Sequence, residues 1–141
     1  MLRRVIATMH AAGELERISD HAAGIAKLVC QLAQPPRLPL LSNLNNMSQA
    51  TRRMLRSALN ALVLDNVELA ERVYHMDAEI DQYYQQIFRA ALTNMQADRS
   101  TIGEATYLMW IAHNLERIGD RCTNLSERTF SNNGFLPAET R

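Results

Sequence analysis

Glycine and proline are scarce in this chain, 5 and 4 residues among 141, and aromatic residues make up only 6%. Helix breakers and strand formers are therefore both rare, while Ala, Leu, Met, Arg, Glu and Gln dominate, which predicts an all-α protein. The length suits one domain with a real core and is too short for two of ordinary size. An excess of charge of either sign is also missing, with 15 basic residues against 15 acidic. Without an overall basic field, nucleic acid and anionic membranes are disfavoured as partners. The only cysteines, Cys30 and Cys122, show no C-x-x-C spacing. That argues against a disulfide framework or zinc site and predicts two free, buried thiols in a reducing compartment. No apolar run is long enough to span a bilayer, and the run after Met1-Leu2-Arg3-Arg4 is broken by His10, Gly13, Glu14 and Glu16 before a signal-peptide core forms. The expectation is a cytoplasmic protein without membrane insertion. No glycine-rich phosphate loop and no nucleophile with its base can be assigned. His10, His21, His75 and His113 make neither His-x-x-x-His nor Glu-x-x-His with the acids discussed below, so a di-iron carboxylate bundle is not indicated. A non-enzyme follows.

What the chain does contain is a repeat. Leu115-Glu116-Arg117-Ile118-Gly119-Asp120 matches Leu15-Glu16-Arg17-Ile18-Ser19-Asp20 at five of six positions, 100 residues apart. A repeat of this kind marks a duplicated structural unit. Around it the apolar periodicity predicts four helices. Residues 2–33 form the first, with Leu15, Ile18, Ala22, Ile25, Val29 and Leu32 on its seam. It begins with no Ser, Thr, Asp or Asn cap, which predicts a helix entered in mid-course. Prolines in 34–41 make a linker. Residues 42–130 form a three-helix antiparallel bundle: Ser42 caps one helix, a break at Asp65-Asn66 leads to a second, and Thr101 to Phe130 forms the last. The expected seam of that last helix is Leu108, Ile111, Leu115, Ile118, Cys122 and Leu125. Residues 131–141 are expected to form a tail. The lone first helix must bury its seam on the bundle or on another copy of the chain, and a homodimer is expected.

Three acid pairs, Glu16 with Asp20, Asp77 with Asp81 and Glu116 with Asp120, share a four-residue spacing. Each pair places like charges on one helical face and costs a helix about 0.2–0.5 kcal/mol. Two readings are open. A hard cation would remove the repulsion, with Asp77, Asp81, Glu116 and Asp120 converging on it and Asn124, one turn further along, adding a neutral oxygen. Alternatively the acids are solvated and paired locally, Arg17 with Asp20 and Arg117 with Asp120, on a generic helical interaction bundle. Arg52, Arg53 and Arg56 could meet phosphate or an acidic partner, but a solvated face is the commoner role for such a group. Trp110 is expected on the outer side of the last helix beside Tyr107.

At its two Leu-Glu-Arg-Ile-x-Asp segments the chain resembles the PhoU family, in which Glu-Arg-Ile-Gly-Asp-x-x-x-Asn ends each of two tandem three-helix bundles. The similarity extends through Met54-Leu55-Arg56-Ser57-Ala58-Leu59, through Asp77-Ala78-Glu79-Ile80-Asp81 and through Met109 to Asp120. The resemblance implies a cytoplasmic, non-enzymatic regulator that restrains phosphate uptake and phosphate-starvation signalling. Its implied partners are a phosphate-specific ABC transporter ATPase and a sensor histidine kinase. It also implies multinuclear metal, iron first and zinc, manganese or magnesium as substitutes, held by Glu16 with Asp20 and by Glu116 with Asp120, to which Asp77 and Asp81 add. Two features depart from the family pattern. The chain matches the second bundle but only the last helix of the first, leaving Glu16 and Asp20 without a partner helix, and Gly24 stands where the other repeat has Asn124.

Overall fold

The structure, a computed structural model, describes residues 2–32 and 35–133, with the side chains of Arg3 and Asn132 excepted. Four long helices account for nearly all of it: α1 (Leu2–Gln31), α2 (Leu41–Leu64), α3 (Val67–Ala97) and α4 (Ile102–Asn132). No strand occurs among the described residues. Between α2 and α3 the chain reverses in two residues. Asp65 adopts a left-handed conformation (φ 53°) and Asn66 caps α3 by accepting the Leu69 N–H at 2.8 Å. A left-handed residue ends a helix because its N–H can turn back to the last carbonyls, and Asn caps because its short side chain reaches the free amides of the next helix. Asp98 does the same before the single 3₁₀ turn Arg99–Thr101, accepting from the Ser100 amide at 2.9 Å and its hydroxyl at 2.8 Å.

Ser42 does not cap α2. The helix starts one residue earlier, and Leu40, at the capping position, makes no side-chain bond. Burial takes the place of a cap: Leu38 and Leu40 are 8% and 1% exposed, and the Leu38 N–H donates to Glu104 Oε1 at 2.7 Å. The linker is thus pinned to the start of α4. The last helix runs through Asn132, two residues beyond the expected Phe130, and residues 134–141 lie outside the described part.

Helices α2, α3 and α4 form the expected antiparallel bundle, and α1 packs on α4 alone. All six seam residues expected on α4 are buried, at 8% exposure or less. So are Ala105, Ala112, Ser126 and Thr129, because α4 is enclosed by α1, α2 and α3. On α2, Met47, Met54 and Ala58 are fully buried, and on α3 so are Val73, Ile80, Ile87 and Ala91.

The face of α1 is a correction. Ile18, Ile25 and Leu32 do point inward, but Leu15 and Val29 are 38% and 53% exposed and Ala22 is exposed as well. Ala7, Ala11 and Leu28 are turned inward instead. The stripe against α4 runs through Glu14 and His21, which interrupt the apolar pattern and hide it from a hydrophobicity count. Cys30 is likewise exposed, not buried as expected, while Cys122 is buried.

Truncating Leu125 to Ala inside this core should lower unfolding free energy by about 2–5 kcal/mol in urea titrations, whereas Val63→Ala, at a position 76% exposed, should change it by less than about 0.5 kcal/mol. Equal effects would show that α4 is not the packing centre.

Candidate functional site

Gly119 brings the acids of α3 and α4 together. A Cβ on this buried residue would stand 3.2 Å from Ile80 Cδ1 and 3.3 Å from Asp77 Oδ1, so the missing side chain is what lets α3 lie close. Close approach sets Asp77 and Asp81 of α3 beside Glu116 and Asp120 of α4.

Their titration reports a shared field. The Asp77 carboxyl is raised to about 6, first by burial and then by the charges of Asp81, Asp120 and Glu116. Asp81 is raised by burial and by Asp120. Glu116 is raised by burial and by Asp120 and Asp81, against partial relief from Arg117 and His21. Desolvation and like charge both disfavour the ionised form, and here they act on the same groups. Compensation is incomplete. Arg117 lies 3.9 Å from Glu116 and 3.6 Å from Asp120 but is 46% exposed, and His113 is 3.9 Å from Glu116.

The structure therefore gathers four of the seven sequence-predicted site residues: Asp77, Asp81, Glu116 and Asp120. Glu16 and Asp20 are exposed on α1 and do not join them. Asn124 turns its amide the other way, donating to Glu14 Oε2 at 3.3 Å. Nor do the four carboxylates form a ready coordination sphere: among the described residues no group of three or more His, Cys, Asp or Glu side chains is placed to hold a metal ion. The donor type and the net repulsion suit a hard cation, and the side-chain rotamers as they stand do not enclose one.

The local pairing expected of the acids is half right. Arg117 meets Asp120, but Arg17 turns to Glu14 at 3.7 Å and leaves Asp20. Glu14 itself was not singled out by its sequence neighbourhood. Its side chain is 12% exposed and receives Arg121 at 3.4 Å as well as Asn124. His21 Nδ1 stands 3.0 Å from Asn114 Oδ1. Subtracting the 100-residue offset shows the pattern: residue 14 meets 121, and 21 meets 114. The two repeats cross antiparallel about a pseudo-two-fold axis, a signal present in the repeat itself once it is read crosswise.

Elsewhere, Arg52, Arg53 and Arg56 are exposed and, with Gln49, line a shallow basic depression, in which Arg53 pairs with Glu79 at 3.0 Å. Trp110 is 52% exposed and packs edge-on to Tyr107 at 5.8 Å, on the outer side as expected. The Cys122 thiol is pushed up to about 12 by burial and by Asp77, which makes it a poor nucleophile.

Raised carboxyl pKa values mean that the folded chain binds protons more tightly than the unfolded one between about pH 4 and 6. Stability should therefore fall as pH rises through that window in the presence of chelator. Asp77→Asn should flatten the fall and raise stability at pH 7 by about 1 kcal/mol, a figure reduced for solvent screening at a half-buried site. Asp98, held low by its bonds to Ser100, acts with the opposite sign and only at lower pH. Thermal unfolding of the wild type and of Asp77→Asn from pH 4 to 7 compares the two slopes above the Asp98 range, and an unchanged slope in Asp77→Asn would remove the acidic cluster as its cause.

The bundle that carries these acids has close relatives. The PhoU domain family matches residues 44–129. The phosphate-specific transport system accessory protein PhoU homolog of Clostridium acetobutylicum is 34% identical over 128 residues, 91% of this chain and 58% of the relative. That of Zymomonas mobilis is 37% identical over 142 residues, 99% of this chain and 60% of the relative. Two crystal structures superpose with a TM-score of 0.84. One is PhoU from Pseudomonas aeruginosa, at 28% identity, covering 92% of this chain and 62% of that one; the other is the phosphate transport system regulatory protein PhoU from Streptococcus pneumoniae, at 33%, covering 96% and 64%. The chain thus spans less than two thirds of the length of these relatives, and over that span its helices, its repeat motif and its sequence identity agree: it belongs to the PhoU family.

Proposed function

We propose that this chain is a non-enzymatic cytoplasmic regulator that restrains phosphate uptake and phosphate-starvation signalling. It acts by protein contact with a phosphate-specific ABC transporter ATPase and a sensor histidine kinase, and works as a homodimer. Its relatives carry names that place them in phosphate-specific transport, and that supports the phosphate part of the reading. Among the described residues no helix is long and apolar enough to cross a membrane, so the contact is made from the surface of the helical body.

The observation that carries the metal part of the reading is the uncompensated carboxylate group at Asp77, Asp81, Glu116 and Asp120. A cation bound there would supply the missing positive charge and tie α3 to α4. Iron, manganese, zinc and magnesium all accept carboxylate oxygen, and the site would have to close by rotation of the acid side chains. Glu16 and Asp20 repeat the motif on α1 and offer only exposed ligands.

Two measurements test the reading. Purified without chelator, the protein should contain metal by elemental analysis, and adding iron, manganese or zinc should raise its unfolding temperature. Glu116→Ala and Asp120→Ala should abolish that rise and be neutral or slightly stabilising when no metal is present. No bound metal together with no thermal response would leave the acids as solvated surface charge. Separately, the chain should capture the transporter ATPase or the cytoplasmic part of the sensor kinase in a pull-down, and failure with both would end the regulatory reading.

A further inference from the structure

Helix α2 carries no acid. Its only charged residues are Arg52, Arg53 and Arg56, gathered within little more than one turn, and all three are exposed on the side of the helix away from buried Met47 and Ala58. A solvated face ordinarily mixes the two signs, because like charges four apart, as Arg52 and Arg56 are, weaken a helix. Here one acid of α3 answers three arginines. Glu79 holds Arg53 at 3.0 Å, and among the described residues neither Arg52 nor Arg56 has an ion-pair partner. Two uncompensated guanidinium groups therefore line a depression of about 250 Å³, which Gln49 closes one turn earlier.

We propose that this depression binds a free tetrahedral dianion, of the chemical class of inorganic phosphate, between Arg52 and Arg56, with the Gln49 amide as a further donor. Arginine presents a planar fork of paired N–H donors to the edge of an oxyanion, and two guanidinium charges match a dianion. The volume holds such an ion with part of its hydration shell, at about 30 Å³ per water. What the depression lacks sets the size of its occupant: four residues of one helix line it, and none is apolar or aromatic. A partner helix needs apolar anchors over several turns, and a nucleic-acid strand needs a basic groove with aromatic platforms for its bases. Arg53 is withheld from the anion by Glu79. The regulatory reading needs no bound anion, and the metal reading concerns acids on α3 and α4, so this inference goes beyond both and depends on neither.

The test follows the arginine Nε–H resonances of the whole chain by NMR while sodium phosphate is added in about 0.15 M sodium chloride, where charges are screened beyond about 8 Å. Chelator is present throughout, so that no metal at the acidic cluster can hold the anion. The Arg52 and Arg56 resonances should shift saturably. Replacing both by lysine, which keeps the charge and the helix but removes the fork, should weaken binding at least about fivefold. Glu79→Gln should tighten it, because a negative charge beside the site is lost and Arg53 is released. Sodium sulfate in a parallel titration tells a site for any tetrahedral dianion from one selective for phosphate, and saturation by either supports the proposal. It is overturned if neither anion gives a saturable shift, if the double lysine variant binds as the wild type does, or if Glu79→Gln leaves the affinity unchanged. A chain that ignores both anions but binds a polyglutamate peptide through these arginines has an acidic-partner surface instead, which also overturns it.

Discussion

Helix α4 is the one helix of the four that packs against all three others, and that central position governs the fold. Its seam residues from Leu108 to Leu125 are buried, and Ala105, Ala112 and Gly119 keep the opposite wall flat. Small residues allow neighbouring backbones to approach, and Gly119 marks a close pass, against Ile80 of α3. α2 and α3 could form a hairpin without it, but neither would have a third surface to bury, and α1 would have nothing to pack on. Burial supplies the main stabilisation here. The exposed ion pair from Arg53 to Glu79 adds little, as is usual for charges that water already solvates.

The same close pass has an electrostatic cost. Drawing α3 to α4 at Gly119 brings Asp77 and Asp81 into the field of Glu116 and Asp120, and partial burial removes the water that would screen them. One exposed arginine and two histidines, His113 and His21, do not balance four carboxylates. A fold selected only for stability would place neutral side chains there. The retained repulsion is therefore the feature most closely tied to a role, and it sits on the helix whose packing everything else requires.

On its other side α4 meets α1 through the crosswise pairs of the repeat. Glu14 with Arg121 and His21 with Asn114 lie deep enough to be partly shielded, so each contributes more to register than a surface pair would. These contacts rotate α1 away from the face that its apolar residues alone favour. Leu15 and Val29 are left partly exposed, and an apolar stripe is presented on the far side. Polar contacts at two positions thus decide which of two competing faces is buried.

The sequence by itself determined the helices, the turn at Asp65-Asn66, the seam of α4, the duplicated motif and the pairing of Asp77 and Asp81 with Glu116 and Asp120. Periodicity and turn chemistry are local, and they are legible in the order of residues. The burial of Leu40 where Ser42 had the better capping side chain was not legible, nor were the outward turn of Cys30, the commitment of Asn124 to Glu14 and the isolation of Glu16 and Asp20 from the other acids. Only the tertiary structure decided these. A residue's angle on its own helix follows from its position, but which neighbour reaches that angle depends on contacts between residues as far apart as 14 and 121. Such contacts exist only once the chain has folded back on itself.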